Sequence, residues 1–386
     1  MSSQQITVLI ILIVYLVANT VIGLVYGKVR DSRSTLSKEN KYFIGGRGMN
    51  GLILAMTTMA TYTSVSSFIS GPGAGGMTYG YTQVWIAATQ VPVTFMVLGV
   101  LGNKLAIVSR RTGAVTVAGY LRARYKSDLL VIVTSILMVV FFIVQMIGQF
   151  KGGATLVSVI TGLDYKVGLM IFAAVVIIYT SFGGFTAVVI TDTIQGLIMC
   201  LGTAILLISA FTAGGGVENI NASLATKLPE VWDNLTGVFG PGTLLSYWIL
   251  VGFGTIGLPQ TAVRAMGFKN TKSLHSAMWI GAVTCAFVIV GMHLAGVWCG
   301  ALIDTSTLPN SDYFIPTVVL QIMPVGIAGL FLAAPLAAVM STVSSLLILA
   351  SAAIIKDIYH TYYVKDIPER VAKYQKNLGK FTIGGT

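Results

Sequence analysis

Apolar residues run along this chain in stretches of about twenty, divided by short polar segments. That spacing predicts membrane-crossing helices. The stretches fall near residues 6–26, 52–76, 84–108, 129–148 (with a tail to 156), 167–182, 186–213, 244–266, 277–303 and 327–355. A tight turn is expected at Gly183-Gly184, between the fifth and the sixth. Residues 313–323 are apolar but too short to cross, and predict a small helix at the membrane surface. Residues 376–386 read as the start of a further span. No basic segment with a small-residue cleavage site precedes the first stretch, so it is read as a retained span and not a signal peptide.

Composition agrees with a polytopic all-α membrane protein. Of 386 residues, 55% are hydrophobic and 10% charged, against about 25% charged in soluble domains. Residues 28–47, 104–126, 264–272 and 356–380 hold 21 of the 24 Lys and Arg. With these spans, all four segments are expected on one side. The positive-inside rule then places the C-terminus in the cytoplasm and the N-terminus outside, in a plasma (inner) membrane. The net charge of +11 is thereby assigned to the lipid surface and not to nucleic acid. Cys200, Cys285 and Cys299 all lie in apolar runs without metal spacing, and read as small buried hydrophobes.

Polar chemistry concentrates where spans are interrupted. Between Thr58 and Ser67 seven side chains carry hydroxyls, and Gly71-Pro72-Gly73 follows. Two readings fit: a broken helix whose freed carbonyls bind a cation and a solute, or a kinked helix whose hydroxyls bond back to their own turns and pack on neighbours. A second span, 246–266, is interrupted by Gly252, Gly254, Gly257 and Pro259 and runs in the opposite direction. Paired interrupted spans of opposite direction are the mark of an inverted-repeat transporter. In the ninth span Ser341, Ser344 and Ser345 form a hydroxyl face, extended by Thr342, with Pro335 upstream. Hydroxyls and carbonyls suit a hard cation such as sodium without a carboxylate. Asp192 either attracts a cation leaving inward or pairs with a cytoplasmic arginine as a structural device. Gln90, Gln145 and Gln149 are solute-contact candidates, while Lys151 is expected to reach the outer headgroups. His293 and Trp298 read as core. No pattern of a catalytic triad, metal cluster or phosphate loop is present, so transport and not an enzymatic reaction is expected.

Several runs together resemble the sodium:solute symporter family: residues 42–47, 60–73, 179–185, 191–196, 257–264, 291–296, 331–335 and 354–357, in family order along nearly the whole chain. Overall likeness is greatest to the family's pantothenate carriers. The resemblance implies a LeuT-like inverted-repeat fold in a single transmembrane domain: an extra helix at 6–26, a first repeat at 52–213 and an incomplete second repeat at 244–386. It implies symport of sodium, as coupling ion and with no other cofactor, with a small organic anion, pantothenate first; proline, a sugar or a monocarboxylate is the alternative, as is a non-transporting sensor or remnant. The implied sodium ligands are the carbonyls of Ala60, Thr63 and Ala338 and the hydroxyls of Ser341 and Thr342, with Asp192 near the exit path. The implied solute contacts are Ser66, Ser67, Gln90, Gln145, Gln149, Gly252 and Thr255. The family pattern continues past the point where this chain stops.

Overall fold

A computed structural model describes residues 3–32, 44, 47–232, 239–364 and 367–371; the side chains of residues 24, 26–32 and 178–184 lie outside that description. The segment expected to begin a further span, 376–386, is also outside it. The described chain is helical, and its one β-type contact is an isolated bridge between Met49 and Phe268.

The helices are α1 (Ser3–Ser32), α2 (Gly51–Tyr62), α3 (Ser66–Tyr79), α4 (Tyr81–Thr112), α5 (Val117–Tyr125) and α6 (Asp128–Thr161). The stretch Tyr165–Ala213 follows, with limbs α7 (Tyr165–Ile177) and α8 (Phe185–Ala213). Then come α9 (Val217–Lys227), α10 (Pro241–Gly257), α11 (Pro259–Ala265), α12 (Thr271–Gly300), α13 (Ser311–Ile322) and α14 (Val325–Val364). Among the described residues six of these helices are long and apolar enough to cross a membrane, and eight crossings result if each bent pair is one span. α7 is the shorter apolar helix that stands at the expected fifth span; the rest of that span falls at residues 178–182.

A helix that is apolar on every side belongs inside a bundle. α14 is that helix here: 94% of its most apolar window is buried. It packs on α8, with α1, α6 and α2 around it. Gly202 of α8 permits this closeness, since a Cβ there would sit 2.3 Å from that of Ala334.

The four basic segments meet at one end. The Arg47 guanidinium donates to the Ser109 carbonyl at 2.9 Å, and that of Arg110 to the Phe268 carbonyl at 2.6 Å. The Thr116 hydroxyl donates to Asp357 at 2.5 Å, and Tyr362 to Asp128 at 3.2 Å. At this end the entry to α2 and the exit from α11 are joined by backbone: the Met49 amide donates to Gly267 at 3.2 Å and the Lys269 amide to Met49 at 2.9 Å. At the other end Gln4 donates to the Leu320 carbonyl, and Phe211 lies against Trp298. α7 begins at that far end, with Gly168 against Ala154 and Ser158 of α6, whereas Ala187 and Thr191 of α8 lie against Gly23 of α1. The two limbs therefore run in opposite directions past their neighbours; the expected turn at Gly183-Gly184 lies outside the described side chains.

Candidate functional site

The first span is broken, but earlier than its Gly-Pro-Gly. α2 and α3 meet at 74° across residues 63–65. Thr63 is extended (φ −74°, ψ 118°), and its amide caps α2 by donating to the Met59 carbonyl at 2.8 Å. Residues 71–74 are α-helical. Their glycines serve close packing instead: a Cβ on Gly73 would lie 2.1 Å from the Ser311 carbonyl oxygen, and one on Gly76 2.5 Å from that of Gly296. Proline fits the first turn of a helix, so Pro72 does not itself make the break. The second interrupted span bends by 46° between α10 and α11. Leu258, held extended before Pro259, marks the corner (ψ 127°). α2 leads away from the basic end and α11 returns to it, so the two broken spans run in opposite directions.

At the first break, five groups singled out from the sequence come together. The Ser341 hydroxyl lies 2.8 Å from the Ala60 carbonyl oxygen and 3.0 Å from that of Ala338. The Thr342 hydroxyl lies 3.0 Å from Ala338 O, 3.2 Å from Thr63 O and 3.5 Å from Thr61 O. Ala60, Thr63, Ala338, Ser341 and Thr342 are all fully buried. The end of α2 frees the carbonyls, and consecutive positions on α14 aim two hydroxyls at them. The result is a nest of neutral oxygens, the donor set a hard monovalent cation takes.

Next to the nest, toward the basic end, is a network that the sequence reading did not place. Arg264 was counted with the surface cations, yet only 1% of its side chain is exposed. It forms a 2.7 Å ion pair with Asp192 Oδ2, itself completely buried. Its remaining N–H groups donate to the Thr57 hydroxyl (2.9 Å), the Gln260 carbonyl (2.9 Å) and the Ser345 hydroxyl (2.7 Å). Asp192 Oδ2 also accepts from Thr57 at 2.9 Å. Ser345 in turn donates to the Ser341 carbonyl at 2.6 Å, so the ion pair reaches the oxygen nest through one side chain. The arginine pair expected in one reading of Asp192 is present. Its second oxygen, Oδ1, is buried without a hydrogen-bond partner.

The solute candidates divide. Gln149 Oε1 accepts from the Val65 amide at 3.1 Å, capping the start of the broken helix's second half. Gln145 Oε1 takes a long 3.5 Å contact from Gln260. Gly252 packs on the backbone of Thr89, beside Gln90. The Thr255 hydroxyl bonds back to Val251 at 2.7 Å and lies 3.4 Å from the Tyr62 hydroxyl. Tyr62, unremarked in the sequence as a contact, thus joins the two breaks. Ser66 is exposed and lies 2.8 Å from the Ser64 hydroxyl; Ser67 is buried. These positions surround the two breaks but do not converge on one point.

Lys151 departs from its expected snorkel toward headgroups. It forms a 2.9 Å ion pair with Asp312 at the start of α13, and Asp312 also accepts from Ser70 of α3 at 2.6 Å. Buried residues Phe314, Ile315, Val318 and Val319 seat α13 on the bundle, more deeply than a surface helix. His293 is core as expected, its ring 2.7 Å from the Ile289 carbonyl. Trp298 is partly buried and donates to Tyr81 at 3.2 Å.

The described geometry has counterparts among known proteins. The model of the sodium:solute symporter family matches residues 42–376. The chain is 44% identical over 348 residues to the sodium/pantothenate symporter of Haemophilus influenzae, covering 89% of this chain and 69% of that protein. It is 30% identical over 373 residues to an osmoregulated proline transporter of Bacillus subtilis, covering 93% and 72%. Among solved structures, a Na+-coupled sialic acid symporter in a substrate-bound outward-open state superposes with a TM-score of 0.78 at 22% identity, covering 98% of this chain and 78% of that one.

Proposed function

This chain belongs to the sodium:solute symporter family and has its LeuT-like fold, and from that premise we propose that it carries pantothenate into the cell, driven by sodium. The observation that carries the reading is the buried nest of Ala60, Thr63, Ala338, Ser341 and Thr342 oxygens at the break of the first span. Without an ion, the two hydroxyls point their hydrogens at the surrounding carbonyls. Sodium entering the nest turns both hydroxyls, so that lone pairs face the ion and the three carbonyls complete its shell. This draws α14 onto the end of α2 and sets the angle between α2 and α3. The solute, lying along the two breaks, meets a backbone that sodium has ordered. Coupling follows, because each ligand binds best when the other has already set that backbone.

The Arg264–Asp192 pair closes the route from the nest toward the basic end. That end faces the cytoplasm in our reading, with the N-terminus outside. Inward release requires α11 to part from α8, and Asp192 Oδ1 is then the nearest free anionic acceptor for the departing ion. Solute contacts are assigned to Ser66, Ser67, Gln90, Gln145, Gly252 and Thr255, and to the amide nitrogen of Gln149, whose oxygen is already engaged. The higher identity to a pantothenate carrier than to a proline carrier supports pantothenate over proline.

The test is uptake of labelled pantothenate into proteoliposomes with an inward sodium gradient. Accumulation above equilibrium is expected with sodium outside, and none with choline. Equal uptake in the two salts would remove sodium coupling, and sodium-driven accumulation of labelled proline but not of labelled pantothenate would reassign the solute.

A further inference from the structure

Three described cations lie at the end opposite the basic segments, and they are differently engaged. Lys227 is occupied by the carbonyls of Ala301 (2.9 Å), Ile303 (3.0 Å) and Gly300 (3.4 Å). Lys166 stands at the start of α7, where the neighbouring Gly162 turn meets Gln5 of α1. Lys151 alone lies on the turn of α6 that touches the first break; its own side chain, on a different face from Gln149 and Gly152, reaches Asp312 and through it Ser70 of α3. The residue two before it, Gln149, holds the Val65 amide. The residue after it, Gly152, is pressed against the same valine: a Cβ there would come within 1.9 Å of Val65 Cγ2. Ser66, the next residue, is exposed.

The Lys151–Asp312 pair is unequal. Asp312 is 7% exposed, its Oδ1 fixed by the Ser70 hydroxyl at 2.6 Å and its amide capped by Asn310 Oδ1 at 3.0 Å. It stays in place without the lysine. Lys151 is 57% exposed and has one anionic contact, Nζ to Oδ2 at 2.9 Å. An ammonium has three N–H donors on a flexible stem, so two donors are left over from the Asp312 contact, beside the part of α3 that carries Ser70. A half-exposed ion pair is weak and exchangeable.

We propose that Lys151 is the residue by which this transporter selects an anionic solute: the solute carboxylate accepts from the Lys151 ammonium, and Asp312 is the counter-ion that holds the lysine in position until it does. This rests on the reading of the protein as an importer of a carboxylated solute. It assigns opposite roles to the two partners. Lys151 attracts the solute, whereas Asp312 competes with it for the same ammonium.

The experiment compares wild type, Lys151→Met, Lys151→Arg and Asp312→Asn in proteoliposomes. It measures half-saturation by pantothenate, inhibition by its neutral alcohol analogue, and half-saturation by sodium. Lys151→Met is expected to raise half-saturation by pantothenate about fivefold, the upper end for a half-exposed ion pair. It should leave inhibition by the neutral analogue unchanged, and half-saturation by sodium unchanged when measured at saturating pantothenate. Lys151→Arg keeps the charge and retains preference for the anion. Asp312→Asn lowers half-saturation by pantothenate and leaves the neutral analogue unaffected. If Lys151→Met weakens both solutes equally, or if Lys151→Met and Asp312→Asn shift pantothenate in the same direction, the pair is a structural latch and the proposal is overturned. A wild type that accumulates no pantothenate at all overturns the parent reading, and this proposal with it.

Discussion

Replacing Asp192 by asparagine should be among the most damaging single substitutions in this protein. The change is nearly isosteric, so packing around α8 is kept and the charge alone is lost. Arg264 then retains Thr57, Gln260 and Ser345 as neutral acceptors, but its charge is buried with 1% of the side chain exposed. Charge centres about 4 Å apart attract by about 4 kcal/mol at an effective dielectric of about 20. Breaking a buried pair on one side costs about 3–5 kcal/mol, because the remaining charge is left uncompensated. Arg264→Met should cost a similar amount, since Asp192 is left with only the Thr57 and Thr61 hydroxyls (2.9 and 3.4 Å). Asp192→Asn combined with Arg264→Met removes both charges. The double variant should be more stable than either single one, with a coupling energy of about 3 kcal/mol. Unfolding of the purified protein in mixed micelles, titrated with SDS, reads these differences. A loss below about 1 kcal/mol for Asp192→Asn, the scale of an exposed pair, would refute the reasoning. So would a double variant whose loss equals the sum of the single losses.

Two further outcomes follow from the geometry. Thr342→Val should raise the sodium concentration for half-maximal uptake by about ten- to thirtyfold, the low end of a charge-assisted contact, because the same hydroxyl also bonds carbonyls when no ion is bound; Ser341→Ala should act alike, and unchanged sodium dependence in both would remove them from the nest. Gly296→Ala should destabilise by about 1–3 kcal/mol through overpacking, since its Cβ would sit 2.4 Å from the Pro72 carbonyl oxygen; a thermal midpoint equal to wild type in detergent would contradict that contact.

The spacing of hydroxyls made a polar face at Ser341, Ser344 and Ser345 legible, because those positions share a face on any regular helix; Ala338 and Thr342 as its partners in the nest came from the family resemblance. The direction of the two broken spans was legible as well, from the order of apolar stretches. The point of the first break was not. Glycine and proline drew attention to residues 71–73, but a neighbouring helix decides whether a glycine bends the chain or admits a close contact. Arg264 was misread for a related reason. It is five residues beyond Pro259 and close to Lys269, so local charge counting groups it with the surface. Only the fold brings Asp192, Thr57 and Ser345 around it, from three other helices. Lys151 was read by its depth along α6. Its partner, Asp312, lies in a segment whose apolar residues suggested a peripheral helix.

The backbone pairing of Met49 with Gly267 and Lys269 has a mechanical consequence. It fastens the entry of α2 to the exit of α11 with two backbone hydrogen bonds, and Arg264 adds a side-chain tie to Thr57 within the same body. The two half-helices on that side cannot tilt independently without breaking these links. Any opening toward the basic end is therefore the swing of one lever, with its fulcrum at the paired breaks beside the nest, and not the parting of two separate flaps.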